Sequence, residues 1–373
     1  MGPAEFEAAG LYAPAAPDAP DRLALLEWLA SRGVTLEQMV AGVRADQLTA
    51  LAGNLALQGE GAYTLAEVAA RSGLTPARVQ EILRAVGRPP VAADERAFGE
   101  DDVRSYTAFA VTSQLFGEEA TRRFSRVIGA SLARLAEAAV SFFLENIEGP
   151  LREAHGSELA LAQANLRAIE MLDLVPVAFQ GLFRAHVQTA IRRLRQARGP
   201  GRPEGRSIDT GTFAVGFVDL VGFTPLSQRA SVREMAALVE RFEDIANDVA
   251  TARDGRVVKL IGDEVMFAAV EPGATCEIAL ELMARLCCDV PARPRGGVAW
   301  GTMLLRGGDY YGPIVNLAAR IAEQAVPDEL LVTPEIARQA QRPGLRFEPA
   351  GKRMLKGFDA PVALMTVERT DVP

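Results

Sequence analysis

Near residue 200 the hydrophobic periodicity of this chain changes, and the change divides it into two unlike halves. Over residues 21–198 apolar side chains recur at three- and four-residue steps. Val127, Ile128, Leu132, Leu135, Ala139 and Phe142 predict one buried helix face. Leu23, Leu25, Leu26, Trp28 and Leu29 predict another, capped by Asp21, and residues 170–183 a third, interrupted at Pro176. No two-residue alternation competes with this pattern, so residues 1–198 read as an all-α domain. The Ala- and Pro-rich residues 1–20 read as an extended arm. Residues 199–208, opening Gly199-Pro200-Gly201-Arg202-Pro203, read as a linker. Beyond it, strand patterns at 212–219, 257–261, 265–270, 298–305 and 329–333 alternate with helical patterns at 232–252, 275–288 and 314–324. The last strands fall near Arg346 and over residues 362–367. The βαββαβ order of residues 209–373 predicts a ferredoxin-like sheet with helices on one face, and the whole chain is α+β.

Composition narrows the function classes. A net charge of −8 over 373 residues gives no support to a general nucleic-acid or membrane-surface binder. The three cysteines, Cys276, Cys287 and Cys288, lie within one helical pattern and have neither metal-ligand spacing nor an even count. They read as reduced thiols of a cytoplasmic protein. No uninterrupted apolar run approaches the roughly 18 residues of a membrane span, and the N-terminus lacks a signal-peptide pattern. A soluble chain without a transmembrane segment is expected.

Three motifs carry chemistry. In Phe217-Val218-Asp219-Leu220-Val221-Gly222-Phe223-Thr224 and in Lys259-Leu260-Ile261-Gly262-Asp263-Glu264-Val265-Met266-Phe267, an aspartate stands where an apolar strand breaks at a glycine-containing turn. Two carboxylates held at the ends of rigid strands suit a pair of hard divalent cations. In Gly312-Pro313-Ile314-Val315-Asn316-Leu317-Ala318-Ala319-Arg320, an amide and a guanidinium stand one helical turn apart on one face.

Together these motifs, in this order from about Gly211 to the C-terminus, resemble the catalytic domain of the class III nucleotidyl cyclases. The resemblance implies attack of a ribose 3′-oxygen on the α-phosphorus of ATP, with loss of pyrophosphate. It implies two Mg²⁺ or Mn²⁺ ions held by Asp219 and Asp263, with the backbone carbonyl of Leu220 or a neighbour completing a metal shell. Lys259 and Asp309 fall where the family's ATP users carry Lys and Asp (or Thr); GTP users carry Glu and Cys there. The assignment has a physical basis, because adenine presents an acceptor at N1 and a donor at its 6-amino group, and guanine the reverse. Asn316 would orient the ribose, Arg320 would stabilise phosphoryl charge, and Lys356, in Met354-Leu355-Lys356-Gly357-Phe358, would touch the β- and γ-phosphates. The family builds its clefts between two catalytic domains, so a chain carrying every one of these residues implies a homodimer with two equivalent clefts.

The helical half carries weaker signals. Residues 64–88 resemble a helix-turn-helix with glycine at the turn, which leaves open a DNA-binding regulator whose cyclase-like domain senses nucleotide. The apolar bundle leaves open a hydrophobic ligand. The domain order resembles the pH-responsive, autoregulated cyclases of actinobacteria. Both histidines, His155 and His186, lie in this half, and His186 opens a basic connecting helix over residues 186–198.

Overall fold

A computed structural model describes residues 1–58, 61–154, 156–199, 209–289, 292–340 and 342–370. The expected linker 199–208 lies, except for Gly199, outside the described residues, as does His155. The chain divides into two compact units, Met1–Arg184 and Ala185–Pro373, so residues 185–198 group with the sheet.

The second unit is built on an eight-stranded sheet. Its strands are β1 (Thr210–Val221), β2 (Arg256–Ile261), β3 (Glu264–Ala269), β4 (Arg293–Arg306), β5 (Asp309–Tyr311), β6 (Leu330–Val332), β7 (Leu345–Arg353) and β8 (Val362–Arg369). The order is β2-β3-β1-β4-β6-β8-β7, with β5 paired to β4. Among the described residues only the β4–β6 pair is parallel.

Helices cover both faces of this sheet, not the one face expected. Along β1, Ala214, Val218 and Leu220 join a core with Phe242 and Ile245 of the helix Val232–Thr251 and Leu282 and Leu286 of the helix Pro272–Asp289. Phe213, Val215 and Phe217 join a second core with Ala318, Ile321 and Ala322 of the helix Pro313–Gln324. The physical reason is that β1 is apolar on both faces, a pattern that demands two covers. Gly297 on β4 lets the second cover approach: a Cβ there would stand 2.3 Å from the backbone nitrogen of Ala322.

The first unit is helical, with two apolar cores. Phe6, Leu25, Leu26 and Leu29 pack with Ala162 and Leu166 in one; Val68, Val79, Ile82 and Leu83 pack with Phe98 and Tyr106 in the other. The N-terminal arm is partly helical, Pro3–Ala8, and buries Phe6 completely. Proline at the first helical position leaves no needed donor missing, so Pro3 starts a helix where it reads as preventing one. Asp18, not Asp21, stands at the N-cap of the helix Ala19–Ser31. The helix-turn-helix consists of Leu65–Ser72 and Pro76–Ala85, with Gly73 left-handed between them (φ 73°). Three of its arginines are engaged within the fold: Arg71 with Glu100, Arg78 with Glu81 and Arg88 with Asp102.

The face expected to be buried on the helix Glu118–Phe143 is open: Leu132 is 52%, Leu135 42% and Phe142 67% exposed. This helix continues to Glu153 and, among the described residues, is the one helix long and apolar enough to cross a membrane by length and composition. The sequence reading missed it because Arg134 and Glu137 interrupt the apolar run without reversing its average. The connecting helix spans Val175–Arg198; Pro176 lies in its first turn, so the interruption is its start. Its last turns are anchored in the second unit, where Arg193 Nη2 donates to the carbonyl of Gly255 at 2.7 Å and Arg192 pairs with Asp254 at 3.0 Å.

Candidate active site

The strand register sets Glu264 of β3, Asp219 of β1 and Arg295 of β4 side by side across the sheet. Val218 and Leu220 point into the two-helix core, so Asp219 faces the other side, toward the helix Pro313–Gln324. Nε and Nη2 of Arg295 donate to Asp219 Oδ2 at 3.0 and 2.7 Å, and Nη1 donates to the carbonyl of Glu323 at 2.9 Å. Asp263 follows Gly262, which is left-handed (φ 64°) in the β2–β3 turn. The carbonyl of Asp263 accepts from the backbone N–H of Leu220 at 3.3 Å, which ties this turn to the end of β1.

Negative charge is crowded here. Burial raises the Asp263 carboxyl above the usual range; a bond from its own backbone and Arg295 pull it down, while Asp219 pushes it further up. Burial pushes Glu264 up to about 7, and Asp219, Glu323 and Asp263 add to it. The hard oxygen donors and their crowded charge, offset in part by Arg295, fit a divalent cation. Among the described residues no group of three or more His, Cys, Asp or Glu side chains makes a metal cage.

On β2, Lys259 Nζ donates to Asp309 Oδ2 of β5 at 2.6 Å. A register shift between Val257 and Lys259 interrupts the β2–β3 ladder at this point. Asp309 Oδ1 accepts the backbone N–H of Tyr310 at 2.7 Å, so both carboxylate oxygens are engaged. Asn316 and Arg320 share the helix Pro313–Gln324; Asn316 is exposed, and Arg320 is ion-paired with Glu323. Lys356 is exposed in the turn between β7 and β8, and His186 is exposed on the connecting helix. The structure thus joins Lys259 to Asp309 and sets Asp219 beside Asp263, while Arg320 turns to a neighbour on its own helix.

Arg295, Glu264 and Glu323 are not singled out by the sequence. Glu264 could have been found, because it stands two residues before Met266 and so shares its face of β3. Arg295 could not, because its place beside Asp219 depends on the β1–β4 register.

Residues 9–191 match the adenylate cyclase regulatory domain family. An adenylate cyclase of Glutamicibacter nicotianae is 34% identical over 301 residues, covering 78% of this chain and 74% of that protein. A pH-sensitive adenylate cyclase of Mycobacterium tuberculosis is 30% identical over 366 residues, covering 94% of this chain and 88% of that protein. Among solved structures, the adenylyl cyclase CyaB of P. aeruginosa superposes with a TM-score of 0.40 at 20% identity, over 44% of this chain and 96% of that one. A helical regulatory region ahead of a mixed-sheet catalytic domain defines a regulated cyclase. This chain belongs to the class III adenylate cyclases, enzymes of the phosphorus–oxygen lyase class.

Proposed function

We propose that the chain converts ATP to 3′,5′-cyclic AMP and pyrophosphate at clefts shared by two copies, under control of its N-terminal half. The observation that carries the reading is the Lys259–Asp309 pair: two side chains fifty positions apart, joined at 2.6 Å in a partly exposed site. Together they offer one donor and one acceptor, the complement of an adenine edge. A purine entering would exchange that mutual bond for bonds to N1 and the 6-amino group, and guanine would meet two mismatches.

Asp219, Asp263 and the Leu220 carbonyl would hold two Mg²⁺ or Mn²⁺ ions, which supply activation of the 3′-hydroxyl and neutralisation of the triphosphate. The chain's own contribution is position and charge. Asn316 holds the ribose so that its 3′-oxygen lies in line with the α-phosphorus, and Arg320 presents a fork of donors to the phosphoryl oxygens. Lys356 adds charge for the β- and γ-phosphates. Within the chain Arg320 is paired with Glu323, a contact it must leave to reach a phosphate.

Two observations support a homodimer. Every expected site residue occurs in one chain, and large apolar side chains lie exposed, among them Phe142, Leu174, Val177, Leu182 and Phe183. The name of the M. tuberculosis relative supports pH as the controlling signal. His186, exposed beside Arg184 on the helix that enters the catalytic unit, is the first candidate to read it; His155 is the second.

The test is cyclic AMP formation from ATP by the purified full chain with Mg²⁺ or Mn²⁺, across about pH 5.5 to 8. Activity that rises toward acid, with a response blunted in His186→Ala more than in His155→Ala, is expected. No cyclic nucleotide with either metal at any pH would overturn the reading. An unchanged pH response in both variants would remove the histidines from it.

A further inference from the structure

Tyr310 is 6% exposed, although it is the middle residue of a three-residue edge strand and its neighbour Tyr311 is 48% exposed. Its ring is held on two sides. The ring of Phe213 meets it edge-on, with centroids 5.0 Å apart at 66°, and the guanidinium of Arg256 lies 5.9 Å from its centroid. Arg256 also donates to the carbonyl of Gly308, so one side chain grips both the ring and the turn that precedes β5. On the site side, the Tyr310 N–H binds Asp309 Oδ1 at 2.7 Å, which leaves Oδ2 to Lys259. The orientation of the Asp309 carboxylate is therefore set by where the backbone of Tyr310 lies.

Ala197, Phe213 and Tyr310 belong to one apolar core. Gly211 allows close approach between them, since a Cβ there would stand 3.3 Å from that of Ala197 and 2.5 Å from the Phe213 ring. One helical turn before Ala197, Arg193 is bonded to the carbonyl of Gly255, the residue preceding Arg256. Both guanidiniums, Arg256 and Arg193, act electrostatically on the Tyr310 phenol.

We propose that Tyr310 is a positioning residue for the Lys259–Asp309 pair, and that through it the end of the connecting helix sets how firmly Asp309 is held for the purine. The proposal rests on the reading of that pair as the adenine selector. A displaced Asp309 weakens recognition of the base more than it disturbs groups at the phosphorus, so the effect appears in KM and in the choice between ATP and GTP.

The test uses the full chain with ATP and GTP as substrates. Loss of the ring contact in Tyr310→Leu should raise KM for ATP and narrow the preference for ATP over GTP, each by about tenfold, with kcat falling less than about threefold. Tyr310→Phe, which keeps the ring, should stay within about twofold of the parent on both measures. Arg256→Gln leaves the aromatic core in place and should shift KM in the same direction by about threefold, which keeps the test open if Tyr310→Leu fails to fold. Arg193→Ala combined with Tyr310→Leu should be less than additive in KM, because both act on one contact chain. A folded Tyr310→Leu with unchanged KM and unchanged base preference overturns the proposal, as does a loss confined to kcat. Additive Arg193 and Tyr310 effects overturn the link to the helix. The Lys259→Glu/Asp309→Cys double variant separates the two failures: if it leaves base choice intact, the selector reading falls; if it changes base choice while Tyr310→Leu and Arg256→Gln do not, only the positioning role falls.

Discussion

Lys259 and Asp309 satisfy each other at 2.6 Å, so the pair is stable without substrate yet displaceable, being 41% and 22% exposed. Reversing its polarity in the Lys259→Glu/Asp309→Cys double variant leaves polar groups mismatched against adenine. ATP turnover should fall by about a hundredfold or more, measured as kcat/KM. Unchanged ATP turnover would mean that these residues do not read the base. The carboxylates show how far single residues were legible. Asp219 and Asp263 announce themselves by interrupting apolar strands at glycine turns. Arg295, which binds Asp219 through two nitrogens, has no such signature, because an arginine near a proline is ordinary until the register of β1 and β4 aligns it. Cys276 is the opposite case: its burial in the helix core pushes the thiol up to about 12, which disfavours the reactive thiolate.

At the scale of elements, the helix that carries Asn316 and Arg320 is placed by backbone contact rather than by side chains alone. Gly297 sits where any Cβ would lie 2.3 Å from Ala322 N and 2.7 Å from the carbonyl of Ala318. Because these are backbone atoms, no rotamer change relieves the clash, and the helix must move off the sheet. Gly297→Ala should destabilise the fold by about 1–3 kcal/mol in urea titrations. It should also depress kcat more than KM, since Asn316 and Arg320 shift together while Lys259 stays on β2. A variant with parent stability would show that the helix does not rest on β4 as described. The sequence marks this helix and its apolar face clearly, but not which face of the sheet it covers. Its chain order alone fits a one-faced layer; the two-faced pattern of β1, with Phe213, Val215 and Phe217 alternating against Ala214 and Val218, places it opposite the other two helices.

For the whole molecule, the proposed clefts draw Asp219 and Asp263 from one copy and Asn316 and Arg320 from the other. Mixing Asp219→Ala chains with Arg320→Ala chains should then rebuild one intact cleft per heterodimer. Cyclic AMP formation should recover to about a quarter of the parent at equal mixing, as half the dimers are mixed and each has one of two clefts. No recovery, with heterodimers demonstrated by mass, would refute the shared cleft. The exposed apolar residues of the helices Glu118–Phe143 and Val175–Arg198 bear on the same question, because a single chain leaves them facing water.

Local patterns in the sequence determined where helices and strands alternate, where two strands break at an aspartate, and that Asn316 and Arg320 share one helix face. These depend on neighbours within a few residues, which periodicity and turn chemistry report directly. Tertiary structure alone decided the cross-strand row Glu264–Asp219–Arg295, the second covered face of the sheet and the exposure of Leu132, Leu135 and Phe142. Each depends on which distant segment comes to lie alongside. An apolar stripe reads the same whether its partner lies in the same chain or elsewhere, and a strand's register reads the same until its neighbour is in place.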